Sequence, residues 1–197
     1  MNKAIARDTR GTTSPVADAP LRIARDGSVI IGMPLCEMGH GISTVLAQVV
    51  AEELGRGIVL EPIAQSFIAS AVLSHYAAAE VQSAWLPRLA SGEAVVVLAH
   101  QERKARYRVD VCEAKAAKAQ SGYAVTAIKS VVPAGDKADA FIVPAQLDGK
   151  IALFLVERTA SGVTTQGYVT QDGSRAAEVH LANAPATLIT TDGLAAL

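Results

Sequence analysis

From Ser43 onward the apolar residues recur at helical spacing. Val45, Leu46, Val49, Val50 and Leu54 share one side of a 3.6-residue period, Ser43 stands where an N-cap belongs, and Gly55 can close the end. Pro62 suits the first turn of a second helix, whose Ile63, Phe67, Ile68, Ala71 and Val72 fall in one apolar stripe. A third helical segment, about Ala78 to Leu89, carries Val81, Trp85 and Leu86; Pro87 is expected to bend it and Gly92 to stop it. After Glu93 the period changes from helical to strand-like. Short β-branched runs succeed one another: "AVVVLAH", "VDVCEAKAAK", "YAVTAIKSVV", "DAFIVPAQL", "IALFLVER", "VTTQGYVT" and "AEVHLA". Between two of them "LDGK" (Leu147 to Lys150) puts Asp-Gly at positions that need positive φ, and "QSGY" does so with Ser-Gly.

Helices followed by strands, instead of alternating with them, predict an α+β chain: a short helical segment, then an antiparallel β-barrel or sandwich domain. The expected divisions are a flexible lead-in over 1–26, a partial N-terminal helical domain over 27–93, the β domain over 94–190, and a tail over 191–197. A dinucleotide-binding α/β fold is disfavoured, because no G-x-G-x-x-G lies at a strand-to-helix turn.

Composition narrows the function classes. The 197 residues are 50% hydrophobic with a formal charge of -1, which fits neither a disordered chain nor a basic nucleic-acid binder. No apolar run is long enough for a membrane helix and no secretory leader is legible, so a cytoplasmic location is expected. Cys36 and Cys112 lack metal-ligand spacing and are read as free thiols, a disulfide between them being the less favoured alternative. No His-x-x-x-His or Cys-x-x-Cys pair supports a protein-built metal site, and no G-x-S-x-G elbow marks a nucleophile. Adjacent Glu52 and Glu53 diverge on a helix and are read as solvated.

Among the histidines, His100 stands out because it ends a buried strand beside Gln101 and Glu102. Directly after it, Arg103, Lys104, Arg106 and Arg108 cluster around Tyr107, where guanidinium groups could meet phosphate and the ring could stack on a planar ligand. The bland reading of that loop is a solvated basic segment. In "KSVVPAGDKAD", Lys129 precedes an apolar strand broken by Pro133 and Gly135. Pro removes a donor and Gly permits close backbone approach, which suits an edge facing a ligand as well as a plain strand end.

Taken in order, several segments resemble the acyl-CoA dehydrogenase family, flavoenzymes that desaturate acyl-CoA thioesters between the α and β carbons. "VAEELGRGIVLEP" is similar to its "ELGR" helix, and "AWLPRLASGEAVVVLAHQE" to its "LASGE" helix end and first middle-domain strand. "GYAVTAIKSVVPAGDKADAFIV" and "GVTTQGYVTQDGSRAAEVHLANAPA" resemble later strands of that domain. The resemblance implies FAD as cofactor, an acyl-CoA substrate, an electron-acceptor protein, a place in fatty acid metabolism and a homo- or hetero-oligomer. It places Leu98, Ala99, His100 and Gln101 on the strand end along the flavin, with Glu102 at the motif's acid. Val131, Val132 and Pro133 fall on the second flavin segment, and Tyr107 stands near the acyl-CoA.

Two departures qualify this. "ERKARYR" replaces a Gly-rich loop, and Pro133 stands where the family has a flavin-facing Thr. The family's C-terminal helical domain, which supplies the carboxylate base, would come after Leu197. A truncated chain or partial subunit is therefore expected, and no catalytic residue is assigned. The alternative is a non-catalytic β-domain module, or inactive remnant subunit, that docks on a complete partner.

Overall fold

A computed structural model describes residues 21–23, 29–31, 42–105 and 108–197. The chain divides into two compact units, Met1–Val59 and Leu60–Leu197. In the first, β1 (Leu21–Ile23) pairs antiparallel with β2 (Val29–Ile31), and α1 covers Ile42–Arg56. That hairpin has no counterpart in the sequence reading, because three-residue strands carry too little periodicity to register. Glu52 and Glu53 are both exposed, Glu53 pairing with Arg56 on the same helix. His40 and Cys36 lie outside the described residues.

The second unit opens with α2 (Ile63–Tyr76) and α3 (Ala79–Ser91). Pro62 precedes α2 as its N-cap, and Gly92 ends α3 with φ 77°, the left-handed cap that glycine adopts without a Cβ clash. Strands β3 (Val96–Leu98), β4 (Lys115–Lys118), β5 (Tyr123–Pro133), β6 (Ala140–Leu147), β7 (Lys150–Glu157), β8 (Val163–Val169) and β9 (Arg175–Thr190) form one seven-stranded sheet. The pairings β4–β5, β5–β9, β9–β7, β7–β6 and β6–β4 return to their start, so the sheet closes on itself as a barrel. Most pairs are antiparallel; β3 and β4 both run parallel to β6, one at each end of it. The β6–β7 turn has Asp148 at φ 49° and Gly149 at φ 81°, the positive pair that its Asp-Gly sequence calls for.

Two apolar clusters explain the strand sequences. Val125, Ala127, Phe141, Val143, Phe154, Val156 and Val179 fill the barrel. Outside it, Ala69, Val72, Leu73 and Trp85 of the helices pack on Val96, Ala140, Ile142, Leu153 and Leu155. Strands β6 and β7 are thus covered on both faces. This is why "AFIVPA" and "IALFLV" are continuous apolar runs, while β5 and β8, wet on one side, alternate. The short α4 (Gly193–Ala196) comes after β9, and Leu197 packs against the outer cluster.

The expected stripe on α2 needs correcting. Its buried residues are Ala69, Val72 and Leu73, whereas Phe67 is 63% exposed and Ile68 is also exposed. The helix is apolar on nearly every side, so periodicity could not choose the face, and the barrel wall chose it instead.

Candidate functional site

Beyond β3 the chain stays extended, and Ala99 N–H donates to Ile142 O at 2.9 Å. The end of this extension meets β5 through Ser130 N–H, which donates to Gln101 O at 2.8 Å. Between the two strand ends lies a cleft of about 320 Å³. One wall is Leu98, His100 and Gln101, and the other is Val131, Val132 and Pro133. Gln65 and Ile68 of α2 and Val109 complete the lining. An apolar concavity with a few polar atoms, at the lower end of the small-molecule range, is a default ligand site.

Six residues singled out from the sequence therefore come together here. The seventh strand-end residue, Ala99, is fully buried with its side chain in the barrel cluster and does not line the cleft. Strand alternation is the reason: Leu98 and His100 face one way and Ala99 the other. Tyr107 and Arg106 lie outside the described residues. Of the loop cations turned toward phosphate in the sequence reading, Lys104 pairs with Glu113 at 2.8 Å and Arg108 with Asp110 at 2.5 Å, both exposed. Their charge is met locally, by surface pairs weak enough to exchange partners.

A buried ion pair underlies the cleft wall. Lys129 is fully buried on β5, and its Nζ lies 2.6 Å from Glu102 Oε1 and 2.8 Å from Pro144 O. Glu102 also accepts from Ala114 N–H at 3.1 Å and Glu113 N–H at 2.5 Å, so its carboxylate ties together the strand end, the segment before β4, and β5. Burial alone would raise the Glu102 pKa. The Lys129 hydrogen bond and charge, with the two backbone donors, outweigh it and hold the carboxyl below its usual range. Cys112 is a free, buried thiol 3.4 Å from Pro144 O, and burial pushes its pKa up. His100 is lowered, first by desolvation and then by the Lys129 charge, with Glu102 opposing. It is thus a neutral hydrogen-bonding group at neutral pH. His75 and His180 are exposed.

The second wall carries backbone strain. Val131 has φ 51°, a left-handed conformation that a β-branched residue adopts only when its surroundings impose it. Among the described residues no cluster of His, Cys, Asp and Glu suits a metal ion.

Known proteins resemble this chain in sequence and fold. An acyl-CoA dehydrogenase of Mycobacterium tuberculosis is 30% identical over 133 residues, which is 67% of this chain and 34% of that protein. The solved ChsE4-ChsE5 complex from the same organism matches with a TM-score of 0.64 and 26% identity, over 72% of this chain and 39% of that one. The chain is a relative of the acyl-CoA dehydrogenases. A glutaryl-CoA dehydrogenase from Mycobacterium smegmatis, solved in complex with FADH2, matches with a TM-score of 0.60 and 25% identity, over 65% of this chain and 35% of that one. The chain spans about a third of the length of the acyl-CoA dehydrogenase it matches in sequence. Residues 2–82 match a different family, described as a molybdopterin cofactor-binding domain; this is less than half of the chain and ends before β3. Among the described residues no helix is long and apolar enough to cross a membrane.

Proposed function

We propose that this chain forms the flavin-facing part of an FAD-dependent acyl-CoA dehydrogenase, with the isoalloxazine ring against the cleft between the ends of β3 and β5. The observation that carries this reading is the meeting of Leu98, His100 and Gln101 with Val131, Val132 and Pro133 in one apolar cleft. The residues present suit such a ring. Leu98, Val131 and Pro133 offer apolar surface to its faces, and the Gln101 amide and neutral His100 can hydrogen-bond its polar edge. The chemistry a bound flavin supplies is acceptance of a hydride, here from the β carbon of an acyl-CoA thioester. The apolar walls exclude water, and the strand ends fix the orientation of the polar groups.

No catalytic residue is assigned within the cleft. None of its lining side chains is a carboxylate, and Glu102 is committed to Lys129 and two backbone donors. Abstraction of the α-proton falls to a base elsewhere in the assembled enzyme, from a homo- or hetero-oligomeric partner or from further chain. The electrons would pass to an acceptor protein, and Tyr107 would lie toward the acyl-CoA.

The experiment is an FAD titration of the purified chain, monitored by quenching of flavin fluorescence. Saturable binding is expected, and Gln101→Ala should weaken it several-fold, the loss of about one hydrogen bond. No binding to the wild-type chain would remove the proposal, and unchanged binding by Gln101→Ala would move the ring's polar edge elsewhere.

A further inference from the structure

The strand alternation of β5 breaks where the cleft needs it to. From Val125 to Lys129 the inward residues are Val125, Ala127 and Lys129, and the outward ones Thr126 and Ile128. Continued without interruption, this pattern would turn Val131 into the barrel and Val132 out of it. The reverse is found: Val131 is 46% exposed and borders the cleft, and Val132 is 1% exposed. The switch is a β-bulge. Lys129 pairs with Val179 and Val132 with Ala177, so Ser130 and Val131 together stand opposite the single residue Glu178 of β9.

That opposing residue holds both bulge residues with its side chain. Glu178 Oε2 accepts from Ser130 Oγ at 2.9 Å, and Oε1 accepts from Val131 N–H at 3.2 Å and from the Tyr168 hydroxyl at 3.3 Å. Ser130 N–H, which the bulge releases from the β9 ladder, is the group that reaches Gln101 O. A half-buried carboxylate thus fixes the strained φ of Val131 on one side and the link between the two cleft walls on the other.

We propose that Glu178 is a positioning residue for this site: by bracing the Ser130–Val131 bulge it aims the Val131 side chain into the cleft and sets the spacing of the two strand ends. This rests on the reading that the cleft takes the flavin ring. Glu178 touches no cleft ligand itself and acts through Ser130 and Val131.

The test uses the full chain with Glu178→Ala, Glu178→Gln and Val131→Gly, FAD as the probe, and two readouts: FAD affinity of the folded protein, and hydrogen exchange at the Ser130 and Val131 amides without FAD. Glu178→Ala should bind FAD at least roughly tenfold more weakly, with faster exchange at both amides. Glu178→Gln, which keeps one acceptor oxygen and the side-chain shape, should fall between and serves should the alanine variant fail to fold. Val131→Gly should weaken FAD binding while leaving Tm equal or higher, since glycine adopts positive φ without strain. Wild-type binding of FAD with unchanged affinity in the folded Glu178 variants would overturn the positioning role and leave the flavin reading standing. Unchanged exchange at Ser130 and Val131 would overturn it whether or not FAD binds, and so would a lowered Tm in Val131→Gly. A wild-type chain that binds no FAD would remove the flavin reading, and the positioning role with it.

Discussion

Lys129 shows how one residue can decide the cost of a strand. It occupies an inward position of β5, between Ala127 and the bulge, where a charge is tolerable only with a partner. Glu102 is that partner. Removing one member leaves the other buried and unmatched, so Lys129→Met should lower the unfolding free energy by about 3–5 kcal/mol. The double variant Lys129→Met with Glu102→Gln removes both charges and keeps one acceptor oxygen, enough for either Glu113 N–H or Ala114 N–H, and should recover part of that loss. Urea denaturation of the two singles and the double checks this, and additive losses would mean that the pair is not coupled. The pH dependence arises from the same cluster. His100 is lowered in the folded protein, so the unfolded chain takes up the proton first and stability declines as pH falls below about 6.5. Glu102 is also lowered. Its contribution is complete above the unfolded carboxyl range near about 4.3 and is lost as pH falls through its lower folded value. Urea midpoints should therefore drop in two stages toward acid, and His100→Gln should flatten only the upper stage. An unchanged upper slope would place that proton on another group.

Turns decide the register of the elements, and two glycines separate conformation from crowding. Gly149 and Gly162 have φ 81° and φ 77°, but a Cβ at Gly149 meets nothing within 4 Å, while one at Gly162 would lie 2.2 Å from Ala182 O. Gly149→Ala should cost about 1–2 kcal/mol, the left-handed penalty alone. Gly162→Ala should cost more, because Ala182 also donates its N–H to Gly162 O and cannot retreat without breaking that bond. Equal losses of Tm would contradict this ranking. Strand positions were largely legible in the sequence for a simple reason: β-branched runs and the Asp-Gly turn are local signals, whereas at the Ser-Gly turn only Gly122 takes positive φ and the connection from Lys118 to Tyr123 is longer than two residues. Which face α2 buries was not legible, since only the barrel wall distinguishes its apolar sides. Nor was the barrel's closure, which depends on β4 meeting β6 across Lys115 and Gln146. The cleft was legible in part. His100, Gln101 and the β5 end carried signals, but Gln65, Ile68 and Val109 reach it from other segments. Glu178 was not legible, because one glutamate in a strand has no pattern until its opposite residues are known. Lys129 stands out in the sequence through the Pro133 and Gly135 break beyond it, but its burial and its pairing with Glu102 depend on which face of β5 turns inward, which only the closed barrel decides.

At the scale of the whole molecule, each unit has to be judged by what its own residues bring together. In Leu60–Leu197 the closed sheet makes a rigid frame, the outer cluster fastens α2 and α3 to β3, β6 and β7, and the cleft opens where β3 and β5 end. A site built on strand ends is held more firmly than one built on a loop. The central claim is that a flavin ring occupies this cleft, and the most direct measurement is a backbone amide NMR titration of the chain with FAD. The account predicts saturable shift changes concentrated at His100, Gln101, Val131 and Val132, with the β6–β7 turn at Asp148 and Gly149 unmoved. Absence of saturable changes, or changes centred on residues away from the two strand ends, would contradict it.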